Sequence, residues 1–212
     1  MTQVVRGVVH KQSRSAPVMR TVLEAVAERL RDGDETLVRI PEVCAATGVN
    51  YGSVYHHFGS REGVIDAAYE MMFSRLVDQD MVAIRRAVAA ADDFPGFLVA
   101  AQEIMTSISS GGGRRSNRSM RLRIVAASVT RPELRQLIGV AQERLTSELT
   151  STIELCQARG WMRSDVDARA VAAMLQIVVF GRNLDDASTS PVPEDEWSAF
   201  VFQLFNLLLD PT

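Results

Sequence analysis

The sequence predicts an all-α protein, and three observations lead to this fold class. Apolar residues recur three and four positions apart along almost the whole chain, which is the spacing of an amphipathic helix. No run of alternating β-branched residues lies between turn signals. The 212 residues are 47% apolar and 23% charged, which is typical of a globular protein and argues against a wholly disordered chain.

Three helices are predicted in the first part of the chain from their start and stop signals. The first runs from about Pro17 to Arg31, with the proline in its first turn and a glycine just after its end. The second spans about Ile40 to Ala46 and stops at Gly48. Asn50 can cap the third, which runs to about Phe58. Together these helices would form a compact module.

A longer helix with Ser60 as its N-cap is predicted to connect this module to the rest of the chain. The segment from Ser109 to Ser119 contains three consecutive glycines and is predicted to be a flexible connector. Other helices are expected near Pro95 to Ser107, Met120 to Ser128, Pro132 to Ala158, Val166 to Asp185 and Pro193 to Leu209. We therefore expect two domains, at residues 1–62 and 63–212.

The charges and cysteines limit the classes of function. The net charge of -3 means that any affinity for nucleic acid must come from a local patch. Every charged residue before Glu24 is positive, and these residues form either a basic arm or a frayed, solvated tail. Two cysteines without metal-ligand spacing, and no apolar segment of about 20 residues, predict a cytoplasmic protein.

The segment from Val43 to Phe58 has the requirements of a helix-turn-helix. Such a motif needs a glycine that can turn left-handed between its helices, and apolar anchors that fix their crossing angle. Gly48 supplies the turn, with valine anchors on both sides. The outer face of the second helix carries hydrogen-bonding groups suited to a major groove, on Tyr51, Ser53, Tyr55 and His56.

At these residues the chain resembles the TetR family of repressors. The segment Gly48 to Glu62 reads Gly-Val-Asn-Tyr-Gly-Ser-Val-Tyr-His-His-Phe-Gly-Ser-Arg-Glu, which is similar to that family's signature around the recognition helix. The resemblance covers about the first third of the chain. It implies a dimeric repressor that binds double-stranded DNA at a palindromic operator and is released by a small, apolar effector.

The same resemblance assigns roles within the motif. Tyr51 and Ser53 would read bases. Phosphates would be contacted by Tyr55, by His56 or His57, and by Arg61, although Tyr55 could equally be a packing residue. Gly52 would leave space for close approach to the DNA backbone, and Arg39, which replaces a common capping residue, could reach a phosphate. The full set of expected DNA-binding residues is Arg39, Asn50, Tyr51, Gly52, Ser53, Tyr55, His56, His57 and Arg61.

The last two helices predict a homodimer, because their apolar surface exceeds what one subunit should bury. The segment Val166 to Phe180 is apolar nearly all round, and the last helix has two apolar stripes. The alternative is a last helix sunk into the core of one subunit. The expected interface residues are Val171, Leu175, Val178, Trp197, Val201, Leu204, Phe205 and Leu208.

The family resemblance also implies a cavity for the effector between these helices and the small module. Methionine and phenylalanine side chains of the middle helices would line it, although core filling explains most of them equally well. Polar contacts could come from a few long side chains. The expected effector-binding residues are Met72, Phe97, Gln102, Met105, Arg123 and Gln176.

Two other classes of protein compete with this interpretation. An enzyme is one of them. The three histidines of this chain, His10, His56 and His57, form no catalytic or metal-ligating pattern. We therefore expect neither catalysis nor a metal or cofactor. A helical small-molecule-binding protein without DNA binding is the other. The intact polar face of the third helix argues against it.

Overall fold

The computed structural model describes the backbone of residues 4–31, 34–109 and 112–209, and the side chains of 16–31, 34–104, 106 and 115–209. Within these ranges the chain forms α-helices, one short 3-10 turn and no strand, which confirms the all-α prediction. The helices are α1 Val4–Leu30, α2 Ile40–Thr47, α3 Tyr51–Phe58, α4 Arg61–Ala90, α5 Phe94–Ser109, α6 Gly112–Ser128, α7 Pro132–Ala158, α8 Ala168–Asp186 and α9 Glu194–Asn206; the 3-10 turn is Glu35–Leu37.

Helix α4 lies at the centre of the fold. It packs against α1 and α3 at its beginning, and against α5, α6 and α7 along its length. Helix α7 packs on α8, and α5 packs on α9. One continuous core runs through all of these contacts, from Val22 in α1 through Phe73 in α4 to Leu134 in α7. A movement of α4 would therefore shift its contacts with both the small N-terminal module and the larger helical part.

Two predicted boundaries are wrong. Helix α1 begins at Val4, with Pro17 in its interior and not in its first turn. A proline inside a helix removes one N–H donor and clashes with the carbonyl four residues earlier, so local signals favour a first-turn position, yet α1 continues through Pro17. Helix α6 begins at Gly112, so most of the predicted flexible connector is helical. Arg115 and Arg118 in this first part of α6 bind the end of α8, at Asp186.

None of the described helices is long and apolar enough to cross a membrane.

Candidate functional site

The turn between α2 and α3 has the geometry of a helix-turn-helix. Gly48 ends α2 with a φ of 69°, in the left-handed region that glycine tolerates best. Val43 and Val54 are fully buried and hold the two helices together. The Asn50 side chain accepts a 2.8 Å hydrogen bond from the Gly52 N–H, which caps α3 as the sequence predicts. Both ends of the turn are thus fixed by local contacts.

The turn between α3 and α4 is equally constrained. Ser60 caps α4 by accepting a 2.9 Å hydrogen bond from the Gly63 N–H, as predicted. A Cβ atom at position 63 would lie 2.1 Å from the Phe58 carbonyl oxygen, so only glycine allows this approach. Since α4 is the central helix, this tight turn fixes the orientation of α3 relative to the rest of the fold.

The outer face of α3 presents its predicted polar residues to solvent. Tyr51, Ser53, His56 and His57 are exposed, and Tyr55 is half-buried. The Tyr51 and Tyr55 rings lie 4.5 Å apart between centroids. The neighbouring Tyr51 side chain is the main cause that raises the pKa of Tyr55, so this phenol stays protonated. The face thus combines aromatic surface with several hydrogen-bonding groups.

The remaining predicted residues of this site differ in their surroundings. Asn50 uses its side-chain oxygen as the α3 cap, and a Cβ at position 52 would lie 3.1 Å from that oxygen. Gly52 therefore also protects the cap. The Arg39 side chain is 73% exposed and lies 3.7 Å from the Glu42 carboxylate. Among the described residues, its guanidinium pairs only with this exposed carboxylate.

The side chain of Arg61, a predicted phosphate contact, also makes hydrogen bonds within the subunit. Its Nε donates a 2.9 Å hydrogen bond to the Val38 carbonyl, and its Nη2 donates to the Glu35 carbonyl. Both acceptors belong to the segment just before α2. The guanidinium therefore holds this segment against the start of α4, and the geometry favours a positioning role over a direct contact with DNA.

A cluster of charges joins the small module to the junction of α6 and α7. Arg131 lies in this junction, and its guanidinium binds Glu35 at 2.6 Å and Asp66 at 2.9 Å. The Tyr69 hydroxyl donates a 3.0 Å hydrogen bond to Glu35. Burial, and then the negative charge of Glu35, raise the pKa of Tyr69 well above its usual value. Sequence reasoning missed this cluster.

A cavity of about 820 Å³ lies among α4 to α9, a volume within the range of small-molecule sites. Apolar side chains form most of its wall, including Leu76 and Ile84 of α4, Ile138 and Leu145 of α7 and Phe205 of α9. The cavity thus lies between the central helix α4 and the last two helices, and no described residue of α1, α2 or α3 lines it.

The predicted effector residues are only partly in this cavity. Phe97 and Gln176 line it. Met72, Gln102 and Arg123 do not line it, and the Met105 side chain lies outside the described residues. Met72 packs against the core, and Gln102 faces solvent on α5. Arg123 donates a 2.7 Å hydrogen bond to the Arg31 carbonyl next to the end of α1, so it faces the small module.

Several polar side chains that sequence reasoning did not select also line the cavity. Arg121 binds Asp80 at 2.8 Å, and both line the wall. Gln142 donates to Gln176, whose amide donates in turn to the Thr146 hydroxyl at 3.2 Å. Arg118 lines the cavity from α6. These residues lie in helices whose inward faces could not be assigned from periodicity alone.

The residues predicted for a dimer interface differ in their exposure on the single subunit. Val171, Val201 and Phe205 are buried within the subunit, so their side chains face its own core. Leu175, Val178, Trp197 and Leu208 are half-buried, and Leu204 is 38% exposed. The apolar stripe that faces solvent consists of Met174, Ile177 and Leu184 on α8 with Phe200, Leu204 and Leu207 on α9.

The fold and these sites define a helical regulator with a DNA-binding helix-turn-helix and a separate cavity. Residues 36–68 match the model of the N-terminal domain of bacterial regulatory proteins of the tetR family. Residues 101–200 match the model of the C-terminal domain of BetI-type transcriptional repressors. The chain belongs to the TetR family and is a DNA-binding transcriptional regulator.

Similar solved structures share this fold across almost their whole length. A TetR-family regulator from Mesorhizobium loti superposes with a TM-score of 0.72 at 16% identity, covering 93% of this chain and 98% of the other. One from Cytophaga hutchinsonii gives 0.69 at 18%, covering 94% and 98%. A transcriptional regulator from Saccharomonospora viridis, in complex with choline, gives 0.68 at 18%, covering 93% and 100%. No curated protein matches the chain significantly.

Proposed function

We propose that this protein is a homodimeric repressor that binds a near-palindromic operator and releases it when a small ligand occupies the cavity. The exposed polar face of α3 is the observation that carries the proposal. This helix is capped at its start and held by a tight turn at its end, so it presents that face in a fixed orientation. A recognition helix works in this way, with a few side chains reaching base edges in the major groove.

Within this proposal, the exposed residues of α3 have separate roles. Tyr51 and Ser53 read bases, because they lie in the first turn of the recognition helix, where the base edges are closest. Tyr55, His56 and His57 contact phosphates or the adjacent backbone. Arg39 adds a phosphate contact beside α2, and Arg20, whose side chain is 71% exposed, adds one from α1. The Arg14 side chain lies outside the described residues.

The exposed stripe on α8 and α9 supports the homodimer. Ile177 is 68% exposed, Leu184 is 84% exposed and Leu207 is 67% exposed. Several large apolar side chains exposed on one face of a helix usually mark an interaction site. A two-fold dimer would place two copies of α3 in successive major grooves about 34 Å apart. The operator would then have two matching half-sites.

The cavity supports ligand control, because α4 lines it and also carries the module that binds DNA. A ligand that favours one position of α4 would change the distance between the two recognition helices. Thermodynamic linkage requires that the operator weaken ligand binding by the same factor. The Saccharomonospora protein has choline bound, which shows that a neighbour with this fold accepts a small ligand.

Selection of DNA fragments by the purified protein tests the proposal. We expect a palindromic site whose affinity falls steeply with salt, because released counterions accompany phosphate contacts. Ser53→Ala should relax the preference at one base pair per half-site by about 1 to 3 kcal/mol, the usual value of a direct base contact. Ser151→Ala, at an exposed position of α7, is the control and should leave the preference unchanged. Equal binding of the selected site and random duplex would overturn the proposal.

Arg61→Ala should lower the thermal stability of the protein without changing the number of phosphate contacts. It removes two hydrogen bonds to backbone carbonyls, and each such bond contributes about 1 kcal/mol. Arg39→Ala is the matched comparison, and it should reduce the slope of log affinity against log salt while leaving stability unchanged. Thermal unfolding and a salt titration measure the two effects. If Arg61→Ala gives a shallower slope and unchanged stability, Arg61 contacts a phosphate and has no positioning role.

A further inference from the structure

We infer that the cavity binds a ligand with an apolar body and a carboxylate, and that Arg118 receives the carboxylate. This inference rests on the proposed function, since it names the class of ligand for the same cavity. Three observations carry it: the spare hydrogen-bonding capacity of Arg118, the charge of the residues around it, and the pairing of the other polar groups in the cavity wall.

Arg118 is a buried cation with one unused nitrogen. The residue is 6% exposed, although arginine is seldom buried without full pairing. Its Nε and Nη2 both donate to the same oxygen of Asp186, at 3.1 and 2.8 Å. Its Nη1 has no hydrogen-bond partner among the described residues. A buried charged donor without a partner is costly, so an acceptor supplied by a ligand would be strongly favoured there.

The surroundings of Arg118 contain more positive than negative charge. Arg182 is 3% exposed, and its Nε lies 3.7 Å from the other Asp186 oxygen. That Nε also lacks a hydrogen-bond partner among the described residues. Arg115 donates a 2.6 Å hydrogen bond to the Asp186 carbonyl. Arg182 also pairs with Asp185, so Arg118 and Arg182 share the carboxylates of Asp185 and Asp186, and Arg115 adds a third positive charge at this end of α8.

The cavity wall as a whole has the same imbalance. Three arginines line it, Arg118, Arg121 and Arg135, against one carboxylate, Asp80. Asp80 is already paired with Arg121 at 2.8 Å, so it is not poised to receive a cationic ligand. Gln142 and Gln176 hydrogen bond to each other. Most other lining side chains are apolar, so the expected ligand is an aliphatic or similarly apolar acid.

A series of ligands that differ only in the head group tests this inference on the unmodified chain. The probes are dodecanoate, dodecanol and dodecyltrimethylammonium, each titrated below its micelle concentration by calorimetry. We expect dodecanoate to bind roughly tenfold or more tightly than dodecanol, the difference that one charge-assisted hydrogen bond supplies. The ammonium compound should bind most weakly. Equal affinity for the three compounds, tightest binding of the alcohol or the ammonium, or no binding of any, would overturn the inference.

Two substitutions with opposite expected effects separate binding from a structural role. Arg118→Gln should remove the preference for dodecanoate over dodecanol. Asp186→Asn should increase the affinity for dodecanoate, because it releases the guanidinium from its internal carboxylate. A purely structural pair would weaken binding in both variants, and that result would contradict the inference. Arg86→Gln, at an exposed position of α4 that does not line the cavity, is the control and should change the preference little.

The outcome is separable from that of the proposed function. Operator binding by each variant is measured in the absence of any probe. A protein that binds its operator but shows no preference for a carboxylate would overturn only the ligand class. A protein that prefers dodecanoate but binds no operator would retain the ligand site and overturn the repressor. If Arg118→Gln does not fold, the head-group series and the Asp186→Asn variant still test whether the cavity prefers a carboxylate.

Discussion

Leu184→Arg should convert the protein into a monomer and weaken operator binding by roughly 10²- to 10⁴-fold, the range over which two linked modules exceed one. Leu184 is 84% exposed in the single subunit, so the subunit can fold with arginine there. The position is close to the C-terminus of α8, where a positive charge interacts favourably with the helix dipole. In the proposed dimer, the same arginine would be an unpaired charge in a dry contact.

Sedimentation at micromolar concentration and operator titration measure the two effects of Leu184→Arg. Val99→Arg is the matched control, because Val99 is 59% exposed on α5, away from the stripe on α8 and α9. It should keep the mass and the operator affinity of the unmodified protein. A dimeric Leu184→Arg with normal affinity would show that another surface joins the subunits. Thermal unfolding of the Leu184→Arg monomer gives an independent test of folding.

Local signals in the sequence predicted the helix-turn-helix well. Gly48, Asn50 and Ser60 act on their immediate neighbours, so their roles follow from a few consecutive residues. The caps that they predicted are the ones in the structure. The hydrogen bonds of Arg61 were not predicted, because their acceptors are distant in the chain. The Val38 and Glu35 carbonyls lie 23 and 26 residues away from it. Nothing in the local pattern indicates such a contact.

Helix α9 shows why helical periodicity alone was insufficient. Its buried face carries Val201 and Phe205, which are four positions apart. Its exposed face carries Phe200 and Leu204, which have the same spacing and begin one position earlier. Both pairs are apolar, and a shift of one residue rotates a helix by about 100°. The sequence therefore predicted two stripes but not which of them faces the subunit's own core. That choice depends on packing against α5, including the contact of Phe205 with Phe97.

The cavity and the start of α6 depend on tertiary contacts in the same way. Three consecutive glycines disfavour a helix, because each loses more conformational freedom than another residue. Arg115 and Arg118 bind the end of α8 and hold this segment as helix from Gly112 onward. Their partner, Asp186, is about 70 residues further along the chain. The same contacts place Arg118 in the cavity wall, so neither feature could be derived from local sequence.

Arg131→Ala should lower the free energy of unfolding by about 2 kcal/mol, less than the 3 to 5 kcal/mol for a fully buried pair because water partly screens this one. The substitution leaves Glu35 and Asp66 without their shared cation, and Asp66 is only 7% exposed. Burial opposes the charge of Arg131, but hydrogen bonds to both carboxylates raise its pKa. Arg144→Ala breaks an exposed pair with Asp78 and should cost less than about 1 kcal/mol.

Urea unfolding at neutral pH compares these two arginine variants, and a triple variant isolates the cause. Combining Arg131→Met with Glu35→Gln and Asp66→Asn removes all three charges, so it should recover part of the stability lost in Arg131→Ala. Hydrogen exchange should also rise in the Glu35–Leu37 turn of the single variant, because Arg131 ties that turn to the α6–α7 junction. If Arg131→Ala lowers the free energy of unfolding no more than Arg144→Ala does, the charge cluster does not hold the small module on the larger helical part. The packing of the small module against α4 would then hold it alone.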